Sequence, residues 1–173
     1  WSFIKEFLYD SWNLRVIFFS IYQAILSAFL SIIFGFPGAW LITHYNFPGE
    51  HWFRKLTYLP FILPSILVVL AMVSFFGNNG WLNRALMTLL GTDEPPVHFL
   101  YSLSGILIAH VFYNFPIAMK IIADQWGKIS LKYLQAARTL GAGQKRCFFT
   151  ITLPLLLPSI GSAFILIFLL CMN

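Results

Sequence analysis

Four long apolar runs constrain this chain more than any other feature of its sequence. A helix needs about 20 residues to cross the roughly 30 Å hydrocarbon core of a bilayer, and each run is about that long or longer. We therefore predict an all-α, polytopic membrane bundle with spans at about 16–43, 57–76, 104–123 and 154–172. The first run is longer than one crossing requires, so we expect it to tilt or to break at Gly35-Phe36-Pro37-Gly38.

The composition supports a membrane protein and argues against a soluble one. Charged residues make up 10% of the chain, compared with about 25% in soluble domains, so a water-facing surface could not be covered in the usual way. Tryptophans near the ends of the spans are expected to anchor the membrane interface: Trp40, Trp52, Trp81 and Trp126.

The basic residues predict which loops face the cytoplasm, because Lys and Arg collect on that side. Eight lie in residues 44–56, at the end of the third span or in residues 124–153: Arg54, Lys55, Lys120, Lys128, Lys132, Arg138, Lys145 and Arg146. The N-terminal segment and residues 77–103, which include a predicted surface helix, hold three: Lys5, Arg15 and Arg84. We therefore place residues 44–56 and 124–153 in the cytoplasm. The net charge of +5 does not predict a nucleic-acid partner, because these residues form no continuous basic face.

A short polar segment interrupts the apolar sequence between the third and fourth spans. Ser130 can cap a helix that begins at Leu131, and Gly141 can end it in the left-handed conformation. One face of this helix carries Lys132, Gln135 and Arg138, and another gathers Leu131, Leu134, Ala137 and Leu140. Two alternatives remain from the physics alone: an amphipathic helix on an anionic leaflet, or a docking surface for a cytoplasmic partner.

The same segment resembles the EAA loop of binding-protein-dependent ABC importer permeases. The resemblance is carried by Gln135-Ala136-Ala137, three residues, Gly141, nine residues, and Ile151-x-Leu153-Pro154. It implies a coupling helix that sits in a cleft of an ATP-hydrolysing subunit, with Gln135, Ala136, Ala137 and Gly141 as docking residues. The family's usual Glu is Gln135 here, and a Gln can form hydrogen bonds but no ion pair.

Most of the chain, from about Trp12 to the end, is similar to the first half of fused permeases for thiamine and, next, for ferric iron. The segments that carry this similarity are SWNLRVIFFSIYQAILSAFLSI, GWLNRALMTLLG and GILIAHVFYNFPIAMK. The resemblance implies a type I (MetI-like) permease fold in a bacterial inner membrane, with alternating access as its mechanism. It favours thiamine as the solute and leaves ferric iron as the alternative.

The resemblance also implies partners and a longer protein. The expected partners are an ATP-binding subunit that holds ATP-Mg, a periplasmic or lipoprotein solute-binding protein, and a second permease half in the same or a second chain. This chain itself is expected to bind no cofactor. We expect one more span before Trp1 and at least one after Asn173.

Polar side chains inside the predicted spans are candidates for function, because they are costly in a membrane. Gln23 lies in a stripe with Ser20, Ser27 and Ser31, whereas His110 and Asn114 lie one helical turn apart on the third span. Gln23, His110 and Asn114 either line a translocation pathway or form hydrogen bonds between helices. A metal site is not predicted, because His110 has no second ligand at suitable spacing on its helix.

Other membrane functions find less support in the sequence. An intramembrane enzyme would need a nucleophile elbow, an HExxH motif or paired carboxylates in its spans, and none is present. The sequence also lacks a Walker motif, so ATP hydrolysis is expected in a separate subunit and this chain is not expected to be an enzyme. A channel or a structural membrane subunit remains the less favoured alternative, because no filter-like segment is visible.

Overall fold

The computed structural model describes residues 11–45, 48–52, 55 and 63–172. The predicted start of the second span and part of the first predicted cytoplasmic connection, including Arg54, lie outside the described residues. A 3-10 turn, Phe99–Tyr101, precedes the fourth helix, and a π-helical turn, Phe148–Thr152, joins the sixth helix to the seventh. The helices are α1 (Ser11–His44), α2 (Ser65–Phe76), α3 (Trp81–Leu90), α4 (Leu103–Trp126), α5 (Leu131–Thr139), α6 (Gln144–Cys147) and α7 (Leu153–Met172).

Within the described residues, four helical stretches are long and apolar enough to cross a membrane: Ser11–His44, Ser65–Leu90, Leu103–Trp126 and Gln144–Met172. Helix α1 continues through Gly35 and contains Pro37, so the predicted break does not occur. Pro removes one hydrogen bond from a helix, and membrane helices tolerate this loss where neighbouring helices pack closely. The chain therefore has the predicted all-α, multi-span architecture.

The stretch Ser65–Leu90 consists of two helices rather than one. The backbone turns between α2 and α3, and the Gly80 amide donates to the Gly77 carbonyl at 2.8 Å. Asn83 fastens this turn, because its Nδ2 donates to the carbonyls of Gly77 (2.9 Å) and Val97 (2.8 Å) while its Oδ1 accepts from the Val97 amide (3.0 Å). Asn83 is fully buried, so the loop beyond α2 is built around this side chain.

Helices α1, α4 and α7 pack against one another and form the core. The buried face of α1 carries small side chains at helical spacing, among them Ala24, Ala28 and Ala39. At Gly35 the two backbones come close, because a Cβ added there would lie 2.9 Å from Ala118 Cβ on α4. Small residues allow this approach between membrane helices, where packing rather than the hydrophobic effect holds helices together.

Aromatic side chains close the core where α4 ends and the π turn begins. The Trp126 ring lies 5.1 Å from Phe36, 6.2 Å from Phe148 and 5.2 Å from His44, measured between ring centroids. Trp126 is only 6% exposed, so its predicted role as an interface anchor is wrong. Trp40, Trp52 and Trp81 are exposed, as an interface position requires.

Candidate functional site

Helix α5 has well-defined ends. At its start the Ser130 side chain accepts a hydrogen bond from the Lys132 amide at 3.3 Å. At its end Gly141 adopts a φ of +81°, which a residue without a Cβ reaches at little cost. The Gly141 amide donates to the Arg138 carbonyl (2.9 Å) and the Ala142 amide to the Ala137 carbonyl (3.0 Å), the paired bonds of a Schellman motif. Both ends of the predicted helix are thus present.

The side chains of α5 are largely uncovered. None of its residues is buried; Gln135 and Ala136 are exposed, and Ala137 is partly covered. Leu131 and Tyr133, exposed by 70% and 61%, lie about 200° apart around the helix axis at 100° per residue. Apolar side chains on opposite sides of α5 are thus uncovered.

Both ends of α5 are tied to the core. On the N-terminal side Ile129 packs against the core cluster that contains Trp126, and on the C-terminal side Phe148 packs against the same cluster. Cys147 is buried beside them, and its Sγ lies 3.6 Å from the Ala142 carbonyl. A force applied to α5 would therefore be transmitted to the end of α4 and to the start of α7.

A second candidate region is a polar layer where α1, α4 and α7 meet. Gln23 Nε2 donates to the Cys171 carbonyl at 2.8 Å, and Asn114 Nδ2 contacts Cys171 Sγ at 3.4 Å. Ser27 Oγ lies 3.1 Å from His110 Nδ1. The three predicted pathway residues, Gln23, His110 and Asn114, thus belong to one group of side chains, together with Ser27 and Cys171.

Two buried acceptors in this layer have no hydrogen-bond partner among the described residues: Gln23 Oε1 and Asn114 Oδ1. Gln23 is 7% exposed and Asn114 is 3% exposed. A buried carbonyl that finds no partner costs about 1–3 kcal/mol.

A cavity of about 340 Å³ lies next to the layer, between α2 and α4. His110 and Asn114 line it and Gln23 does not; Gln23 instead joins α1 to α7. The sequence did not single out Ser65 or Tyr113, which also line the cavity, nor the position of Cys171. A lone Ser at a helix start, a Tyr beside an Asn and a single Cys give no signal until the helices are assembled. The described part of the chain holds no cluster of three His, Cys, Asp or Glu side chains that could bind a metal.

Together these features define a multi-span helical membrane protein that carries an exposed helix fastened between two spans. Residues 28–173 match the model of the family described as "Binding-protein-dependent transport system inner membrane component". The chain therefore belongs to this family and is a multi-pass protein of the inner membrane.

Relatives with different solutes in their names are similarly close. The chain is 33% identical over 166 residues to the "Thiamine transport system permease protein ThiP" of Brucella abortus, covering 95% of the chain and 30% of that protein. It is 34% identical over 146 residues to the "Molybdenum transport system permease protein ModB" of Escherichia coli, covering 84% and 62%. The "Probable sulfate transport system permease protein cysT" of Helicosporidium is 32% identical over 168 residues, covering 97% and 60%. The chain thus spans between 30% and 62% of the length of these relatives.

A solved structure shows the same fold. The "Crystal structure of a bacterial ABC transporter involved in the import of the acidic polysaccharide alginate" matches with a TM-score of 0.68 and 20% identity, covering 95% of this chain and 58% of that chain. At this identity the match concerns the fold, and it confirms the predicted permease architecture.

Proposed function

We propose that this chain is part of the membrane subunit of an ATP-driven importer and that α5 couples it to a separate ATPase. The observation that carries the proposal is α5 itself. It is capped at both ends, exposed along its length and fastened at both flanks to the core. A nine-residue helix is only marginally stable on its own in water. The caps and flanking contacts keep α5 helical, so it is suited to insertion into a partner's cleft as a preformed helix.

The docking surface is the outward face of α5. Gln135 and Ala136 lie on it and are exposed. The small Ala136 permits close approach of the ATPase, and the Gln135 amide can donate and accept hydrogen bonds. Ala137 faces partly inward, and Gly141 sets the end of the helix. Lys132 and Arg138 are exposed beside this face and suit an ATPase surface that carries acidic groups. ATP-Mg would be held by that ATPase.

Coupling would run through the aromatic cluster. When the ATPase subunits close on ATP, α5 moves with them, and the contacts of Ile129 and Phe148 with the core carry this motion to α4 and α7. Because the core helices are closely packed, they would move as rigid bodies between inward-open and outward-open arrangements. A second permease half would complete the pathway between the two.

Residues 77–103, which lie on the side of the membrane opposite the predicted cytoplasmic loops, would supply a surface for a solute-binding protein. The Asn83 hydrogen bonds give this loop a fixed shape, and Arg84, Asp93 and Glu94 are exposed on it. Charged side chains of both signs at a rim favour recognition of a partner with complementary charges.

We favour thiamine as the solute. The support is the 33% identity to a thiamine transport permease over 95% of this chain and the similarity of the segments described above. Sequence identity alone does not favour thiamine over molybdate or sulfate as the solute, because the relatives named for molybdenum and sulfate transport are 34% and 32% identical to this chain.

A substitution on α5 tests the coupling proposal. The full-length protein, its candidate ATPase and its solute-binding protein would be reconstituted in liposomes, and ATP-driven uptake of thiamine measured. Ala136→Arg adds a long side chain to an exposed helical position, so the fold is expected to persist while uptake falls at least tenfold. Ala136→Ser is the matched control and is expected to keep uptake within twofold. Normal uptake by Ala136→Arg, with the ATPase still bound, would contradict the proposal.

A further inference from the structure

We propose that the cavity lined by Ser65, His110, Tyr113 and Asn114 binds the transported solute, and that it selects a small heteroaromatic compound, neutral or singly positive, over a tetrahedral oxyanion. This inference rests on the proposed importer function and adds to it a site and a chemical class.

The polarity of this cavity sets it apart. Two other cavities, of about 360 and 510 Å³, are lined by aliphatic and aromatic side chains and one Met. Lipid tails can fill such spaces. The cavity at His110, by contrast, presents a hydroxyl, an imidazole, a phenol and an amide beside an aliphatic wall. A water-soluble compound that leaves water needs such groups to replace its hydrogen bonds.

The arrangement of these groups is fixed by the helices. His110, Tyr113 and Asn114 lie within about one turn of α4, whereas Ser65 faces them from the start of α2. Ser27, which is fully buried, engages His110 Nδ1. The imidazole is thereby oriented, and its Nε2 is the ring nitrogen that remains for a ligand. The Asn114 side chain is held by the contact between its Nδ2 and Cys171 Sγ.

The chemistry of the lining excludes one class of solute and suits another. No Lys or Arg lines the cavity, so a sulfate or molybdate dianion would lose its hydration without a countercharge, which is very costly in a membrane. Tyr113 and His110 instead place two rings at the cavity wall. Such rings suit a heteroaromatic solute, because aromatic rings pack favourably against one another and a Tyr ring attracts a positive charge. The volume of about 340 Å³ lies in the range of sites for small organic ligands.

Protection of a cysteine from a thiol reagent tests the site directly. Ser65→Cys would place a thiol at the cavity. The two thiols of this chain, Cys147 and Cys171, are buried, and the unsubstituted full-length transporter, labelled in parallel, gives the background. In the reconstituted full-length transporter we expect saturating thiamine to slow maleimide labelling of Ser65→Cys at least fivefold. Sulfate and molybdate at the same concentration should leave the rate unchanged. Thr92→Cys, exposed in the polar loop after α3 and outside this cavity, is the control and should label equally in all conditions.

The outcomes separate this inference from the importer proposal. Equal labelling of Ser65→Cys with and without thiamine, or protection by either oxyanion, would overturn it. Protection by thiamine must also appear in the Ala136→Arg variant, which is expected to lose uptake. If protection is present but ATP-driven uptake is absent in the unsubstituted protein, then the site stands and the coupling proposal falls.

Two variants at His110 test the site independently, in case Ser65→Cys does not fold. His110→Leu keeps a similar volume but removes every hydrogen bond of the imidazole, and we expect about tenfold weaker equilibrium binding of radiolabelled thiamine without nucleotide. His110→Gln restores a donor and an acceptor and should recover most of the affinity. Unchanged affinity in His110→Leu would refute the site.

Discussion

The close contact between α1 and α4 makes Gly35→Ala the sharpest test of the packing. A Cβ at residue 35 would lie 2.9 Å from three atoms: Ala118 Cβ, the Met119 amide nitrogen and the Phe115 carbonyl oxygen. Carbon atoms in contact prefer about 3.5–4.0 Å, so the two helices would have to separate by several tenths of an ångström. Two of the three atoms belong to the backbone, and no rotamer change can relieve the clash.

The expected magnitude follows from a matched substitution. A Cβ added at Gly161 on α7 meets no atom within 4 Å, so Gly161→Ala tests the same chemical change without the clash. In a helix that change is worth up to about 1 kcal/mol in favour of Ala. Overpacking of a core costs about 1–3 kcal/mol. We therefore expect Gly35→Ala to be about 1–3 kcal/mol less stable than Gly161→Ala.

The measurement is equilibrium unfolding of the purified full-length protein in mixed micelles, with SDS as the denaturant and far-UV circular dichroism as the signal. The two variants are compared with each other rather than with the unsubstituted protein, because the intrinsic preference of a helix for Ala over Gly then cancels. If Gly35→Ala unfolds at the same SDS fraction as Gly161→Ala or above it, the two helices do not approach as closely as described, and the reasoning fails.

Three further substitutions test other parts of the structure. Asn83→Ala removes the three hydrogen bonds of a buried side chain and should raise amide hydrogen exchange around Val97 at least tenfold; unchanged exchange would mean that the loop does not depend on this side chain. Asp124→Asn breaks the ion pair with Lys120, whose groups are 2.7 Å apart but more than half exposed, so unfolding should shift by less than about 0.5 kcal/mol; a larger loss would indicate a buried role. Gly141→Ala should cost about 1–2 kcal/mol because of its positive φ and should raise exchange of the last amides of α5, whereas unaltered exchange would show that the turn is not needed.

The features that depend on neighbouring residues could be predicted from the sequence. Ser130 and Gly141 define the ends of α5 through bonds within four residues of each, and the apolar runs define the membrane helices by length alone. Of the two alternatives predicted for the long first run, tilt or break, the break does not occur, because Gly35 serves a contact between helices rather than a kink. Its partner, Ala118, lies more than eighty residues away in the sequence, and no local pattern reports such a pairing.

The polar layer also depends on contacts between distant residues that the sequence alone does not predict. Gln23, His110 and Asn114 could be identified as costly residues in a membrane, and both readings of them, as pathway lining and as links between helices, were open. In the structure all three residues make a polar contact with another helix, and His110 and Asn114 also line the cavity. Cys171 meets both Gln23 and Asn114, a position that depends on how α7 crosses the other two helices.

The contacts at Cys171 carry a consequence for how the bundle can move. Gln23 of α1 donates to the Cys171 carbonyl, and Asn114 of α4 contacts the Cys171 thiol. A single residue of α7 therefore links both other core helices. If α7 shifted relative to either helix, the link would break and leave a buried amide without its partner, so α1, α4 and α7 are expected to travel together during transport.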